Sequence, residues 1–450
     1  MDNKQVLLGK SKEELVEIIL AQEQRIKALE DKLSSKKKDP PEFIKPNTRV
    51  YHHKPGQKPG HEGISRTLAS SVDETIEQSL KSCPHCHHKL GSPTETIEHI
   101  QEDIIPAHVK VTKYRRHRYW CVHCHKTIDA PYHETEVPSS RIGPNALIQA
   151  AILKYHHCLP YRKITEVLKE LAGLKVSPGA LAQSLQRLSQ WLHVEQETIL
   201  TAIRAGPVVH IDETGWRLDG KNHWLWAFVN EKLAYYRIER SRGRRVVKDT
   251  LSDDYDGTII TDFYGVYFNL PYKRQKCLVH LLRELHKTAQ QDTSEKYQLY
   301  YRKIKRLVKD AVKLHDDRTH LKRCVYQRRF VRIKKRLFML MGTGYENKNL
   351  DRIGKRFSKY WLDMLTFLEE EGIAWNNNLA ERLIRPHVIY RNRSFGNRSH
   401  EGLRTHTTLT SLIQSLLLQK RNIFESLKTA FIAHRQGETK PLLFAPTSKS

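Results

Sequence analysis

Apolar positions change their period several times along this chain. From Ser11 to Leu33 they follow a heptad, with Ile19, Ile26 and Leu33 on one seam and Leu15, Gln22 and Leu29 on the other. That spacing predicts a short helix of coiled-coil type, which either pairs with a second copy or packs on its own chain. Lys36 to Gly63 interrupts the pattern with a basic, Pro- and Gly-rich run, Lys54-Pro-Gly-Gln-Lys-Pro-Gly-His-Glu-Gly63, a composition suited to a linker. Helical periodicity returns from Gly143 to about Leu192. Pro144 opens one helix, Pro160 ends the approach to a second, and Gly173 breaks the chain before a third that Ser177 caps and Pro178 starts. A helix-turn-helix for a DNA groove and a set of helices packed on a neighbouring domain both fit this segment.

After Gly206 the period drops to two. Val208-Val-His-Ile, His223-Trp-Leu-Trp-Ala-Phe-Val and Leu233-Ala-Tyr-Tyr-Arg-Ile are separated by Asp219-Gly-Lys-Asn and Asn230-Glu-Lys, which predicts a three-stranded meander. A helix over Gly243 to Leu251 leads through Asp256-Gly257 to a fourth strand, Thr258-Ile-Ile-Thr, and helical patterns dominate from Leu278. Antiparallel strands, a helix, a further strand and then helices predict an α/β domain with a mixed sheet. At 450 residues and ~150 residues per domain, about three units are expected.

Charge narrows the class of partner. Lys and Arg number 77 against 50 Asp and Glu, a formal net charge of +27, which favours a polyanion and points first to nucleic acid. More than half of the excess lies between Lys273 and Arg336, where 21 basic residues face 6 acidic ones. So few acids in the stretch argue for a phosphate-binding surface rather than mutual pairing. No run approaches the ~20 apolar residues of a membrane span, and the first residues show no secretory pattern, so a cytoplasmic protein with no membrane partner is expected.

Of seven cysteines, four form two knuckles, Cys83-Pro-His-Cys86 and Cys121-Val-His-Cys124, with 34 residues between them. In a reducing compartment paired knuckles read as a structural zinc ribbon with Cys83, Cys86, Cys121 and Cys124 as ligands. His85, His87, His88, His123 and His125 stand close enough to replace a thiolate, and a redox dithiol is the weaker alternative. Glu98–Val111 and Thr112–Trp120 supply the strand-like residues of the ribbon, and Arg115, Arg116 and Arg118 give it a basic strand for DNA phosphates. Cys277-Leu-Val-His280 has metal-ligand spacing on one side only and reads as helix packing.

Three carboxylates stand out. Asp212 follows Val208-Val-His-Ile and Asp262 follows Thr258-Ile-Ile-Thr, so each ends an apolar strand. If those strands are neighbours, the two acids meet and offer hard oxygen ligands to magnesium. Glu381 lies in Trp375-Asn-Asn-Asn-Leu-Ala-Glu-Arg-Leu-Ile-Arg-Pro386, read as a helix ended by its proline, on one face with Asn377, Asn378 and Arg385. Each acid also has a plain structural reading: a cap or turn for the aspartates, a pair with Arg385 for Glu381. Glu213 points to the opposite face of its strand from Asp212, and Asp254 and Asp256 are lesser competitors for Asp262. Arg382, Arg385, Arg391, Arg393 and Arg398 cluster near Glu381 and are candidates to clamp DNA phosphates. Trp216, Trp224 and Trp226 read as core or sheet-face residues.

His210-Ile-Asp-Glu-Thr-Gly-Trp216, Thr261-Asp-Phe-Tyr-Gly-Val-Tyr267 with Gln275-Lys-Cys-Leu-Val-His280, and Asn377-Asn-Leu-Ala-Glu-Arg-Leu-Ile-Arg-Pro386 with Arg393-Ser-Phe-Gly-Asn-Arg-Ser399 resemble the sixty-six family of bacterial insertion-sequence transposases. The resemblance covers nearly the whole chain. It implies a DDE transposase with an RNase H-like core, in which Asp212, Asp262 and Glu381 hold two Mg2+ or Mn2+ ions, with a helical insertion between the second and third acids. It also implies DNA as partner, at the element's terminal inverted repeats and at a target, in a homo-oligomer and with companion proteins of the element as further candidates. The expected organisation is multidomain: a coiled-coil helix over 1–36, a linker over 37–75, a zinc ribbon over 76–135, a helical DNA-binding or packing segment over 140–205, and the mixed-sheet catalytic core over 206–436 with its insertion at about 288–370. The rival function is a DNA-binding regulator descended from such an enzyme, with no turnover. A nuclease that cuts without joining is a third.

Overall fold

The structure, a computed structural model, describes residues 11, 21–25, 71–96, 98–102, 105, 107–341 and 346–444. The coiled-coil seam and the Lys54–Gly63 linker fall outside the described residues, apart from a helical stretch at 21–25.

Two small strands, β1 (Arg118–Cys121) and β2 (Lys126–Asp129), pair antiparallel around the second knuckle. The longer ribbon strands expected over 98–117 do not form among the described residues. Four helices follow: α1 (Pro144–Tyr155), α2 (Tyr161–Ala172), α3 (Pro178–Trp191) and α4 (His193–Arg204). Their punctuation is that of the sequence. Pro144 occupies the first turn of α1, Gly173 closes α2 at φ 71°, and the Ser177 hydroxyl accepts from Ala180 N–H at the start of α3. Pro160 is itself the N-cap of α2.

The sheet has five strands in the order β5-β4-β3-β6-β7, here β3 (Val208–Leu218), β4 (Lys221–Val229), β5 (Ala234–Glu239), β6 (Thr258–Thr261) and β7 (Lys273–Lys276). β3, β4 and β5 are antiparallel, while β6 and β7 run parallel to β3. Asp219 and Gly220 join β3 to β4 with both φ values positive, at 49° and 72°, the two-residue turn that suits the twist of a hairpin. β3 therefore does not end at Asp212. It continues to Leu218 because Glu213, Thr214 and Gly215 pair with Trp226, Leu225 and Trp224 of the apolar strand β4. β7 was invisible to hydrophobic pattern, since Lys-Arg-Gln-Lys has no apolar residue, yet Gln275 and Lys276 are buried.

Beyond β5, α5 (Arg244–Leu251) leads to β6, and α11 (Asn378–Ser394), α12 (His400–Leu418) and α13 (Ile423–Arg435) return to the sheet after an insertion. α12 shields the exposed edge of β5. The Ser411 and Ser415 hydroxyls, one turn apart, accept from the N–H groups of Tyr236 and Ala234 at 3.0 and 2.9 Å, satisfying donors that a bare edge strand would leave open to another chain. α1 to α4, α11 to α13 and one part of the sheet share a single core that includes Leu147, Leu185, Trp216, Phe228, Leu412 and Phe431. The 140–205 helices are thus packed against the sheet domain.

The insertion has its own core. α6 (Leu278–Gln291), α7 (Glu295–Asp316), α8 (Arg323–Met339), α9 (Lys348–Tyr360) and α10 (Thr366–Glu369) bury Leu281, Tyr297, Ile304, Ile333 and Phe357 together. It begins at Leu278, ten residues before the expected boundary. Several basic residues of the Lys273–Arg336 stretch are paired with acids: Lys273 and Arg274 of β7 with Glu370 and Asp363, and Lys334 of α8 with Glu369. The acids come from beyond the basic stretch, which is why a local count missed them. Among the described residues, no helix is long and apolar enough to cross a membrane.

The loop after α11 is held rigidly. Asn397 accepts from Trp216 Nε1 at 2.9 Å, and its own N–H donates to the Arg217 carbonyl. A Cβ on Gly396 would lie 2.2 Å from that carbonyl oxygen. Phe395 ends α11 in the left-handed region at φ 56° with its ring 82% exposed, a conformation that favours glycine. Phe395→Gly is therefore expected to stabilise the fold by about 1 kcal/mol, measured by denaturant unfolding.

Candidate active site

β3 and β6 run parallel with Val208 opposite Thr258, Val209 opposite Ile259 and His210 opposite Ile260. Continued two residues, the same register sets Asp212 opposite Asp262, immediately past the end of β6. Side chains alternate along a strand, so Asp212 shares its face with His210 and turns away from the buried Val209 and Ile211. The neighbouring parallel strands thus bring the two aspartates to matching positions, near enough for the Asp262 carboxylate to raise Asp212.

Glu381 arrives from α11, in its first turn. What seats that helix is the fully buried Asn377 at its N-cap. Its Nδ2 donates to the Ile211 carbonyl at 2.8 Å, its Oδ1 lies 3.0 Å from His210 Nδ1, and its backbone N–H donates to Cys277 Sγ at 3.2 Å. One amide thus grips β3 on the residues just before Asp212 and fixes the turn that carries Glu381. α11 does not end at Pro386 but runs through it to Ser394. The carbonyl that proline leaves unpaired belongs to Arg382, an exposed position where solvent can reach it.

Electrostatically, burial and neighbouring acids dominate at Asp212. Asp212 is pushed up to about 8, first by burial and then by the carboxylates of Glu213, Asp262 and Glu381, against which only the Glu213 N–H pulls. Asp262 accepts from Tyr264 N–H at 2.9 Å. Lys276 is buried beneath it, donating to Thr261 Oγ1 and the Asp262 carbonyl at 2.9 Å each; burial lowers its ammonium to about 8. Glu213 is committed elsewhere, to Tyr267 and Arg242. Glu381 pairs with Arg283 at 3.4 Å and lies 3.5 Å from His280 Nδ1, not with Arg385. Among the described residues, Cys277, His280 and Glu381 form the one group of three potential metal ligands whose donor atoms all lie within 4.8 Å of one another. Cys277 and His280 therefore have the partner that their spacing alone did not reveal. Burial pushes the Cys277 thiol up to about 11.

The arginines divide. Arg382, Arg385, Arg393 and Arg398 are exposed, whereas Arg391 is bonded to Thr214 Oγ1 and the Gly215 carbonyl and fastens α11 to β3. Trp216 and Trp226 are buried, as expected, and Trp224 lies under Arg242. In the cysteine segment each knuckle is a tight turn. Cys83 N–H donates to His88 O, and the residue after the second cysteine, His87 or His125, is left-handed in both knuckles. Backbone N–H groups of Cys86 and Cys124 lower the Cys83 and Cys121 thiols. Each knuckle keeps its own pair, and the four thiols are not gathered onto one point. Arg118 forms a fork with Asp129, Arg116 stacks on Tyr132 at 3.7 Å, and Arg115 is exposed.

Comparison with known proteins agrees with this layout. Two proteins of Sinorhizobium fredii (strain NBRC 101917 / NGR234) are similar. The uncharacterized protein y4qI is 27% identical over 353 residues, 70% of this chain, and the uncharacterized protein y4jD is 24% identical over 386 residues, 77% of this chain. The chain spans 63% of the length of the first and 73% of the second. Residues 81–125, holding both knuckles, match the zinc-finger binding domain of transposase IS66. Residues 139–405, which contain Asp212, Asp262 and Glu381, match the transposase IS66 family, and the chain belongs to that family.

Proposed function

We propose that this chain is a DDE transposase that cleaves DNA strands at the ends of an insertion sequence and joins them to target DNA, with Asp212, Asp262 and Glu381 as its catalytic acids. The observation that supports this reading is the parallel pairing of β3 and β6, whose register extends to matching positions for Asp212 and Asp262, with Glu381 near enough to act on Asp212 electrostatically. The sheet order, three antiparallel strands followed by two parallel ones, supports an RNase H-like core.

The donor set fits two Mg2+ or Mn2+ ions. It is all carboxylate, Glu381 Oε1 is buried with no hydrogen-bond partner, and Asp212 carries the burden of its acidic neighbours. Divalent ions at such a site supply Lewis acidity at the scissile phosphodiester, giving a more acidic water and a stabilised leaving oxygen. The protein's part is placement. β3 and β6 hold the aspartates by backbone register, α11 holds Glu381, and Arg283 orients it. No side chain acts as nucleophile: water frees the 3′ end, and that 3′ hydroxyl attacks the target. Arg382, Arg385, Arg393 and Arg398 are the guanidinium groups we assign to DNA phosphates, with Arg115, Arg116 and Arg118 on the zinc segment. Arg391 serves through its hold on β3.

Cys83, Cys86, Cys121 and Cys124 are the ligands we assign to a structural Zn2+. The described residues of 81–125 include no buried apolar side chain apart from the half-buried Cys83 and Cys121, and Ile105 and Val111 are about nine-tenths exposed, so cross-linking by an ion is what such a segment needs to stay folded. Chelation is expected to open 81–125 to protease while the melting of the sheet domain is unchanged, read by limited proteolysis beside a thermal melt.

The test of function is incubation of full-length protein with labelled DNA carrying the element end, a supercoiled target and Mg2+. Strand-specific cleavage followed by joining is expected. Hydrolysis without joining would make the protein a nuclease, and tight binding without cleavage would make it a regulator.

A further inference from the structure

We propose that Cys277, His280 and Glu381 form a second, distinct cation site, selective for a thiophilic ion of the zinc class, and that filling it withdraws Glu381 from catalysis. The binding site stands on geometry alone; the inhibition rests on the transposase reading above.

Three elements converge to make it. Cys277 lies between β7 and α6, where its N–H donates to the Thr261 carbonyl at 2.8 Å and its Sγ accepts from Asn377 N–H at 3.2 Å. His280 follows three residues later, so α6 brings its ring to the same side. Glu381 faces both from the first turn of α11. The three donor atoms all lie within 4.8 Å of one another, against roughly 3.3–3.7 Å for the ligands around a tetrahedral zinc. Small side-chain rotations close that gap.

The polar accounting at this spot is incomplete. His280 Nδ1 and Glu381 Oε1 lie 3.5 Å apart, both buried, and neither has a hydrogen-bond partner. Buried polar atoms are satisfied in nearly every native fold, and these two face each other. A cation between them would satisfy both. Arg283 holds the other carboxylate oxygen at 3.4 Å, which leaves Oε1 directed at the pair. His280 and Glu381 are partly exposed, giving an ion a way in to the fully buried sulfur.

Ligand softness sets the selectivity. Sulfur, nitrogen and one oxygen suit zinc, cadmium or cobalt and not magnesium, which takes oxygens and gives up water reluctantly. On binding, the Cys277 thiol releases its proton to solvent and the ion takes the thiolate, the imidazole and the carboxylate. Glu381 is then the one residue common to a hard site with Asp212 and Asp262 and a soft site with Cys277 and His280.

The test is a cadmium titration of full-length protein, read by thiolate-to-cadmium absorbance and bound-metal analysis, on wild type, Cys277→Ser and His280→Ala. The zinc-segment cysteines contribute equally to all three, so the difference isolates this site. His280→Ala guards against a Cys277→Ser variant that fails to fold. Wild type is expected to take up one more ion per chain than either variant, with extra thiolate absorbance that Cys277→Ser lacks. Equal uptake by all three overturns the site, whatever the DNA assay shows. Where cleavage is measurable, zinc is expected to inhibit it in the presence of excess magnesium. An extra ion bound with cleavage unaffected would overturn the competition while leaving the transposase reading intact.

Discussion

Replacing Glu381 with Gln is expected to lower end cleavage at least about a thousandfold while changing DNA affinity little. The substitution keeps shape and volume but removes a charge from the acid set, and an interaction worth several kcal/mol in the transition state converts to that factor at about 1.4 kcal/mol per tenfold. DNA binding is assigned to other side chains, the exposed arginines Arg382, Arg385, Arg393 and Arg398 on α11 and in the loop after it. Cleavage kinetics beside a salt-dependent binding titration separates the two effects. A variant that cleaves at the wild-type rate removes Glu381 from the site.

Asn377→Ala should produce the second-largest effect, on stability and on rate together. It leaves the Ile211 carbonyl and the His210 ring without their partner inside a dry region and opens a small cavity, mechanisms that together cost about 2–4 kcal/mol. It also frees the start of α11, whose first turn carries Glu381, and a misplacement of about 1 Å costs on the order of a hundredfold in rate. Because Asn377 touches neither DNA nor reacting atoms, the expected signature is a lower maximal rate and a higher magnesium requirement at unchanged DNA affinity. A variant destabilised by that amount but fully active at saturating magnesium would show that Asn377 only braces the fold.

Much of this was legible in the residues. Pro144, Gly173 and Ser177 marked helix ends because caps and breakers act locally, and Asp219-Gly220 marked a hairpin because two positive φ values need such residues. The aspartates drew attention in the sequence because an acid directly after an apolar run is uncommon. What escaped depends on distant partners. β7 is polar throughout, yet its neighbours bury Gln275 and Lys276. Pro386 sits inside a helix because water can reach the freed carbonyl. Asp212 lies mid-strand because β4 continues the ladder past it. Cys277 and His280 looked like helix packing until Glu381, a hundred residues on, met them. Asn377 stood within a run of three asparagines, and only the fold tells which of them is buried.

The most direct measurement is thermal unfolding of wild type and Asp212→Asn, with and without magnesium, from about pH 5 to pH 8. Asp212 is held near 8 in the folded chain and near 3.9 in the unfolded one. Across that window the folded state keeps a proton the unfolded state has lost, so wild-type stability falls as pH rises. Asparagine has no such dependence. Without magnesium, Asp212→Asn is expected to melt above wild type at pH 8, by an amount that shrinks toward pH 5, while magnesium raises wild type and leaves the variant nearly unmoved. A variant that melts at or below wild type at pH 8, or that gains as much from magnesium, would contradict a carboxylate site built to hold divalent ions.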